Sequence, residues 1–252
     1  MNFAASLRKE LLEQWRTYRL LVTAVVLVAF GMLSPLLAKF MPEFIKLIPG
    51  AEQFAPLIPA PTLADAIIQY VKNISQFSLL LALFLTMGAI ALEKDKGTAV
   101  LILVKPLPRA VFLLSKFIAL GVTFLIGLAL AGLAGYYYTL LLFRAPDLSA
   151  WLWLNGLIWV YTMVYVALTL LASTIFRSQA AVVASAFGAL LVISGLGAIP
   201  NLGRYLPGQL ISWGTQLFNN PSARFWPAAW ISLSLILISL LSAWLIFRKQ
   251  EL

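Results

Sequence analysis

Glu93-Lys94-Asp95-Lys96-Gly97-Thr98 is the densest run of polar, reactive side chains in this chain. It leads into the apolar stretch Ala99–Val104, with Leu101 inside it. Lys105, Pro106, Arg109 and Lys116 follow. The chemistry this pattern suits is docking. Gly97 permits a sharp turn, Thr98 can cap the N-terminus of a short helix, and Pro106 stops it. A helix too short to span a bilayer and too apolar for water needs a protein groove or the membrane interface. Seating an amphipathic helix in a partner's groove is a recurrent recognition mode.

Bond-making chemistry lacks its parts. The chain has no His and no Cys, which removes the usual general base, the thiolate nucleophile and the commonest metal ligands. No Gly-Lys-Ser/Thr occurs, so the phosphate-cradling loop of P-loop ATPases is missing. No catalytic residue and no metal ligand set is assigned, and ATP, if used, is bound by another chain.

A second polar set is Asn155, Thr162, Tyr165, Thr169 and Ser173. Their spacings keep them on one face of a helix. A polar group in hydrocarbon costs free energy unless hydrogen-bonded, so this face points into a helix bundle or a wet cavity. It is either the lining of a pathway or a seam of interhelical hydrogen bonds, each worth about 0.6 kcal/mol.

The elements that carry these residues follow from hydropathy. Hydrophobic residues make up 62% of the 252 residues and charged residues 11%. Six stretches of about twenty residues or more lack any charged side chain: Leu20–Ala38, Asn73–Leu92, Phe117–Phe143, Leu148–Phe176, Ser178–Leu202 and Phe225–Phe247. A bilayer core takes roughly 20 apolar residues per helix, and six such windows in series do not fit inside a soluble domain of this size. The expected fold is all-α, a single polytopic membrane domain over 1–252 with spans near 20–38, 73–92, 117–143, 151–176, 179–199 and 227–247. An interfacial helix is expected over 3–19 and a cytoplasmic loop with a short helix over 93–116. A Pro-rich external segment covers 39–72, and a re-entrant or interfacial segment 200–226.

The net charge of +9 sets topology in this reading. With both termini cytoplasmic, Arg8, Lys9, Arg16, Arg19, Lys94, Lys96, Lys105, Arg109, Lys116, Arg177, Arg248 and Lys249 share the inner side. Lys39, Lys46, Lys72, Arg144, Arg204 and Arg224 lie outside. That bias follows the positive-inside rule. Basic residues near the bilayer also meet anionic lipid headgroups. No basic cluster is interleaved with aromatics on a soluble surface, so nucleic acid is not an expected partner.

Local signals add detail. Phe3, Leu7, Leu11, Trp15 and Tyr18 recur at helical spacing, with Arg8, Lys9, Glu13 and Arg16 elsewhere on the wheel. This is a helix lying in the interface, a membrane anchor with or without a cytoplasmic partner. Pro42, Pro49, Pro56, Pro59 and Pro61 argue against a long helix at the start of 39–72. This segment is an external cap or a linker. Thr62-Leu63-Ala64-Asp65 matches a capping box, so a helix is expected to start near Leu63 and run unbroken into the second span. Gly127, Ala131 and Gly135 form a small-residue stripe, read as intrachain packing in preference to an oligomer contact. Gln209–Phe218 is expected to form a short helix with Trp213 at headgroup depth. Lys116, near the end of its span, is expected to snorkel.

Topology, N-terminal helix and loop together resemble the permease subunits of type-2 ABC transporters, the exporter-like family. Those chains carry Glu-x-x-x-Gly-Thr after the second span, then a hydrophobic stretch, Pro, a basic residue and Lys. Glu93, Gly97, Thr98, Pro106, Arg109 and Lys116 match in that order, while the long segment 39–72 departs from the pattern. The resemblance implies a transport subunit without its own ATPase site, in the plasma membrane of a prokaryotic cell. It implies two permease copies, or two related ones, joined to two ABC ATPase subunits that hold ATP and magnesium. Residues 93–109 would seat in a groove on the ATPase, with Glu93, Gly97, Thr98, Leu101, Pro106 and Arg109 at the contact. A hydrophobic or amphipathic substrate is expected, because the spans offer no charged site. Charge reversal at Glu93, or deletion of Ala99–Val104, is expected to abolish coupling without unfolding the spans. A secondary transporter or channel is the alternative, weakened by the lack of mid-membrane ionisable residues. A non-transporting membrane assembly subunit is a further one.

Overall fold

A computed structural model describes residues 3–47, 59–95, 108–199 and 201–250. Among these there are eight α-helices and no strand. They are α1 (Phe3–Arg16), α2 (Arg19–Lys46), α3 (Leu63–Asp95), α4 (Arg109–Leu142), α5 (Leu148–Ile175), α6 (Gln179–Gly197), α7 (Gly208–Gln216) and α8 (Trp226–Lys249). Six of them, α2 to α6 and α8, are long and apolar enough to cross a membrane. The chain is a multi-pass membrane protein.

The bundle is built around α5. Two thirds of its apolar window (67%) is buried within the chain, against 22% for α8 and 11% for α6. α3, α7 and α8 pack directly on α5, while α2 lies along α4. Core side chains include Leu154, Ile158, Val164, Tyr165 and Leu170 from α5, with Tyr70 and Ile74 from α3.

The second span begins where the capping box puts it. The Thr62 N–H donates to Asp65 Oδ2 at 2.8 Å, and the Asp65 N–H donates to Thr62 Oγ1 at 3.4 Å. α3 then runs unbroken for 33 residues, about 50 Å at the helical rise. It is longer than the hydrocarbon core, as its sequence implies.

The first span differs from expectation. α2 continues to Lys46, through both Pro35 and Pro42, where the prolines of 39–72 argue for an early stop. An interior proline costs about 3 kcal/mol in a free helix. Here α2 is laid along α4 for much of its length, so tertiary packing offsets that cost. The proline-rich stretch 48–58 lies outside the described residues.

The small residues make that packing close. An added Cβ at Gly31 would stand 2.6 Å from the Ala131 carbonyl oxygen, and one at Gly135 would stand 2.6 Å from the Tyr70 ring. Gly127 faces Thr23 and Leu27 of α2. The stripe on α4 is spent on α2 and α3 of the same chain, as expected for intrachain packing. α7 is likewise packed on α5, with Leu210 and Trp213 buried. Trp213 donates its indole N–H to the Ala223 carbonyl at 2.9 Å. This ring is fixed inside the protein. Pro227 occupies the first turn of α8, where its missing N–H has no helical partner to lose.

Candidate functional site

The ends of α3 and α4 that flank residues 96–107 are tied to three other helices, α5, α8 and α1. On the incoming side, Lys94 at the end of α3 donates to the Thr174 carbonyl near the end of α5. On the outgoing side, Arg109 at the start of α4 donates through Nη1 to the carbonyl oxygens of Phe247, Arg248 and Gln250. A guanidinium there satisfies carbonyls that a helix C-terminus leaves without partners and complements its negative end. Gln250 in turn donates to the Thr174 carbonyl at 2.8 Å, linking the ends of α8 and α5. Arg109 therefore carries an internal clamp. Gly97, Thr98, Leu101 and Pro106 lie outside the described residues, as does the expected coupling helix.

Two helical turns after Arg109, a buried ion cluster closes the same end. Lys116 of α4 is 3% exposed. Its ammonium donates to Glu10 Oε1 and Oε2 at 3.2 and 3.1 Å and to Glu93 Oε1 at 2.7 Å. Lys9 lies 3.2 Å from Glu10, 3.8 Å from Glu13 and 4.0 Å from Glu93. Ser6 shares a 2.9 Å hydrogen bond with Ser115. Glu10, Glu13 and Glu93 bring carboxylate oxygens within 4.8 Å of one another, and Lys116 and Lys9 stand among them as counter-charges. Lys116 does not snorkel. Taking an ammonium out of water is costly unless it is paired, and here two carboxylates meet it.

The N-terminal helix docks through a face that the apolar pattern did not reveal. Ser6, Glu10 and Gln14 are buried, and α1 packs on α4. Phe3, Trp15 and Tyr18 stay exposed. The i, i+4, i+8 spacing of Ser6, Glu10 and Gln14 was visible in the sequence, but polar stripes on terminal helices ordinarily face water. The buried Lys116 that donates to Glu10 was the missing half.

The polar face of α5 divides into glue and one opening. Asn155 accepts from the Tyr70 hydroxyl at 2.6 Å. Thr162 donates to Ser78 at 3.1 Å. Ser173 donates to the Met87 carbonyl and accepts from the N–H groups of Ile90 and Ala91. Those three tie α5 to α3, and Thr169 bonds back to the Tyr165 carbonyl. Tyr165 differs. With Tyr161, whose ring meets it edge-on at 5.1 Å, it lines a cavity of about 390 Å³ between α5, α6 and the turn leading to α7. Ser194, Asn201, Arg204 and Gln209 supply the polar lining. Among the described residues Arg204 is the one charged residue there, and its guanidinium lies over the Tyr205 ring at 4.8 Å.

Helices surround a central span, Lys94, Arg109 and Lys116 tie helix ends together on one side, and a semi-polar cavity lies beside Tyr165. Comparison with known proteins gives the family. The chain is 26% identical over 254 residues to the uncharacterized transmembrane protein YxlG of Bacillus subtilis (strain 168), covering 98% of this chain and 97% of that protein. Residues 4–252 match the family described as ABC-2 family transporter protein. A match across nearly the whole length, on a chain with six helices long and apolar enough to cross a membrane, identifies this protein as a member of the ABC-2 transporter family.

Proposed function

We propose that this permease subunit serves an ATP-driven exporter. Two copies, or this chain and a related permease, join two ABC ATPase subunits that hold ATP and magnesium. Both termini face the cytoplasm, and the loop after α3 seats on the ATPase. The observation that carries the reading is the clamp at the roots of that loop. A docked segment transmits force only if both its ends are anchored to rigid elements. Lys94 and Arg109 anchor them to α5 and α8, and Lys116 ties α4 to α1 and to the end of α3. A push on 96–107 then moves helices and not merely a loop. Glu93, Gly97, Thr98, Leu101, Pro106 and Arg109 frame this contact. The concentration of basic residues at the clamped end supports its cytoplasmic side.

The cavity beside Tyr165 serves as part of the pathway. Its lining is neutral apart from Arg204, which supports a hydrophobic or amphipathic substrate. The thinly packed α6, with Phe187, Leu191 and Val192 exposed, supplies a surface for the second permease.

The test is affinity purification of the tagged chain in mild detergent, followed by mass spectrometry. A stoichiometric P-loop ATPase is expected with the intact chain and absent after deletion of Ala99–Val104, with the spans melting as before. A folded chain that purifies alone and transports on an ion gradient would establish a secondary transporter instead. Charge reversal at Glu93 is the weaker probe. It would set a second cation against Lys116 and detach α1, confounding coupling with stability.

A further inference from the structure

A smaller cavity, outside the pathway, lies at the start of α5, the opposite end of that helix from Thr174 and Lys94. It measures about 230 Å³ and is lined by Trp153, Trp213 and Trp226, with Asp147 and Arg224 among its other walls. The start of α5, the short α7 and the approach to α8 bring these residues together. Trp213 is buried, and its ring is held by its bond to the Ala223 carbonyl. Trp153 lies nearly parallel to it, with centroids 6.5 Å apart and planes at 24°. Trp226 meets it edge-on at 5.4 Å and 72°. Both outer rings are about half exposed, so the indole box is closed behind and open in front.

Both charged residues are exposed and held by nearby backbone groups. Asp147 accepts the Ala150 N–H through Oδ1 at 2.7 Å and so caps α5. Arg224 donates through Nη1 to the carbonyls of Pro221 and Ala223. Among the described residues neither takes part in an ion pair, with the other or with any third group. Opposite charges that line one small cavity and do not pair are complementary to a ligand that carries both. A membrane-surface belt explains scattered exposed tryptophans. It requires neither a buried central ring nor a cavity with opposite charges in its walls.

We propose that this cavity binds a zwitterion made of a quaternary ammonium and a phosphate, the chemistry of phosphocholine. Indole faces attract such a cation through the ring quadrupole, and aromatic boxes are the usual device for it. The Asp147 carboxylate adds a counter-charge. The Arg224 guanidinium offers the forked donors that suit a phosphate. A lipid headgroup and free phosphocholine present the same groups. The assignment does not depend on the ATP-driven reading.

The experiment uses the whole chain in an uncharged sugar-detergent micelle. Free phosphocholine is titrated against tryptophan fluorescence, with choline alone and inorganic phosphate alone as controls. In a second arm, native mass spectrometry counts phosphatidylcholine and phosphatidylglycerol retained by the protein. Saturable binding of phosphocholine is expected, tighter than either half by about tenfold, a difference of about 1.4 kcal/mol. Asp147→Asn removes the charge and keeps the helix cap. It is expected to weaken binding about tenfold, as is Trp226→Leu. Arg224→Gln is expected to erase the advantage of phosphocholine over choline. Saturation with the free compound assigns the site to the soluble zwitterion as well as the lipid. Selective phosphatidylcholine retention without it assigns the site to the headgroup. No saturation and no lipid selectivity overturns the proposal, as does unchanged binding in Asp147→Asn at an unchanged melting temperature.

Discussion

At the scale of single residues, Lys116 is the most consequential side chain that the hydropathy pattern undervalued. A lysine near the end of a span reads as a cation that can snorkel, because its stem is long enough to reach water. It is instead enclosed by Glu10 and Glu93. Removing one partner of a buried ion pair costs about 3–5 kcal/mol, since the other charge is left stranded. Lys116→Met is therefore expected to destabilise the protein by about that amount, seen as a large drop in thermal midpoint in detergent. It should also free α1 to proteolysis. Replacing Lys116, Glu10 and Glu93 together with apolar residues should restore most of the midpoint, because no charge then remains to be desolvated. Equal melting of the single and triple variants would show that the cluster does not hold α1.

At the scale of elements, close approach between α2, α3 and α4 depends on glycines. Gly31→Val places side-chain atoms against the backbone of Ala131, which has no rotamer to escape into. Overpacking of this kind costs about 1–3 kcal/mol. Gly188 on α6 has open space around its would-be Cβ, so Gly188→Ala is expected to leave the melting midpoint unchanged or slightly raised. Thermal unfolding of the two variants side by side checks the contrast. The stripe Gly127, Ala131 and Gly135 was legible as a helix-contact surface from spacing alone. Its partners, Thr23, Gly31 and Tyr70, were not, because spacing says that a helix can approach and not which one does.

At the scale of the whole molecule, Arg109 ties the outset of α4 to the last residues of α8, across most of the chain. Hydrogen bonds to a charged group contribute about 1.5–3 kcal/mol. Arg109→Gln is expected to lose part of that stability. It should also lower substrate-stimulated ATP hydrolysis by the assembled complex, with ATPase binding retained, because the loop would seat on its partner and pull on a loosened root. Comparing ATPase capture with stimulated turnover separates the two effects. Loss of capture would instead place Arg109 directly in the contact.

The sequence by itself determined the class of this protein. Six uncharged windows, a capping box before the second span and a loop rich in turn and docking residues are local patterns. Hydropathy and helix capping are read by neighbours along the chain, so they survive without coordinates. Three features were decided only by tertiary structure. α2 runs through two prolines because α4 supports it. The polar face of α5 is largely a seam to α3, leaving Tyr165 at a cavity. Ser6, Glu10 and Gln14 form a buried interface because Ser115 and Lys116 complement them. Each depends on which residues, far apart in sequence, share a low-dielectric contact. Whether a polar group is costly or stabilising there is set by the partner it meets.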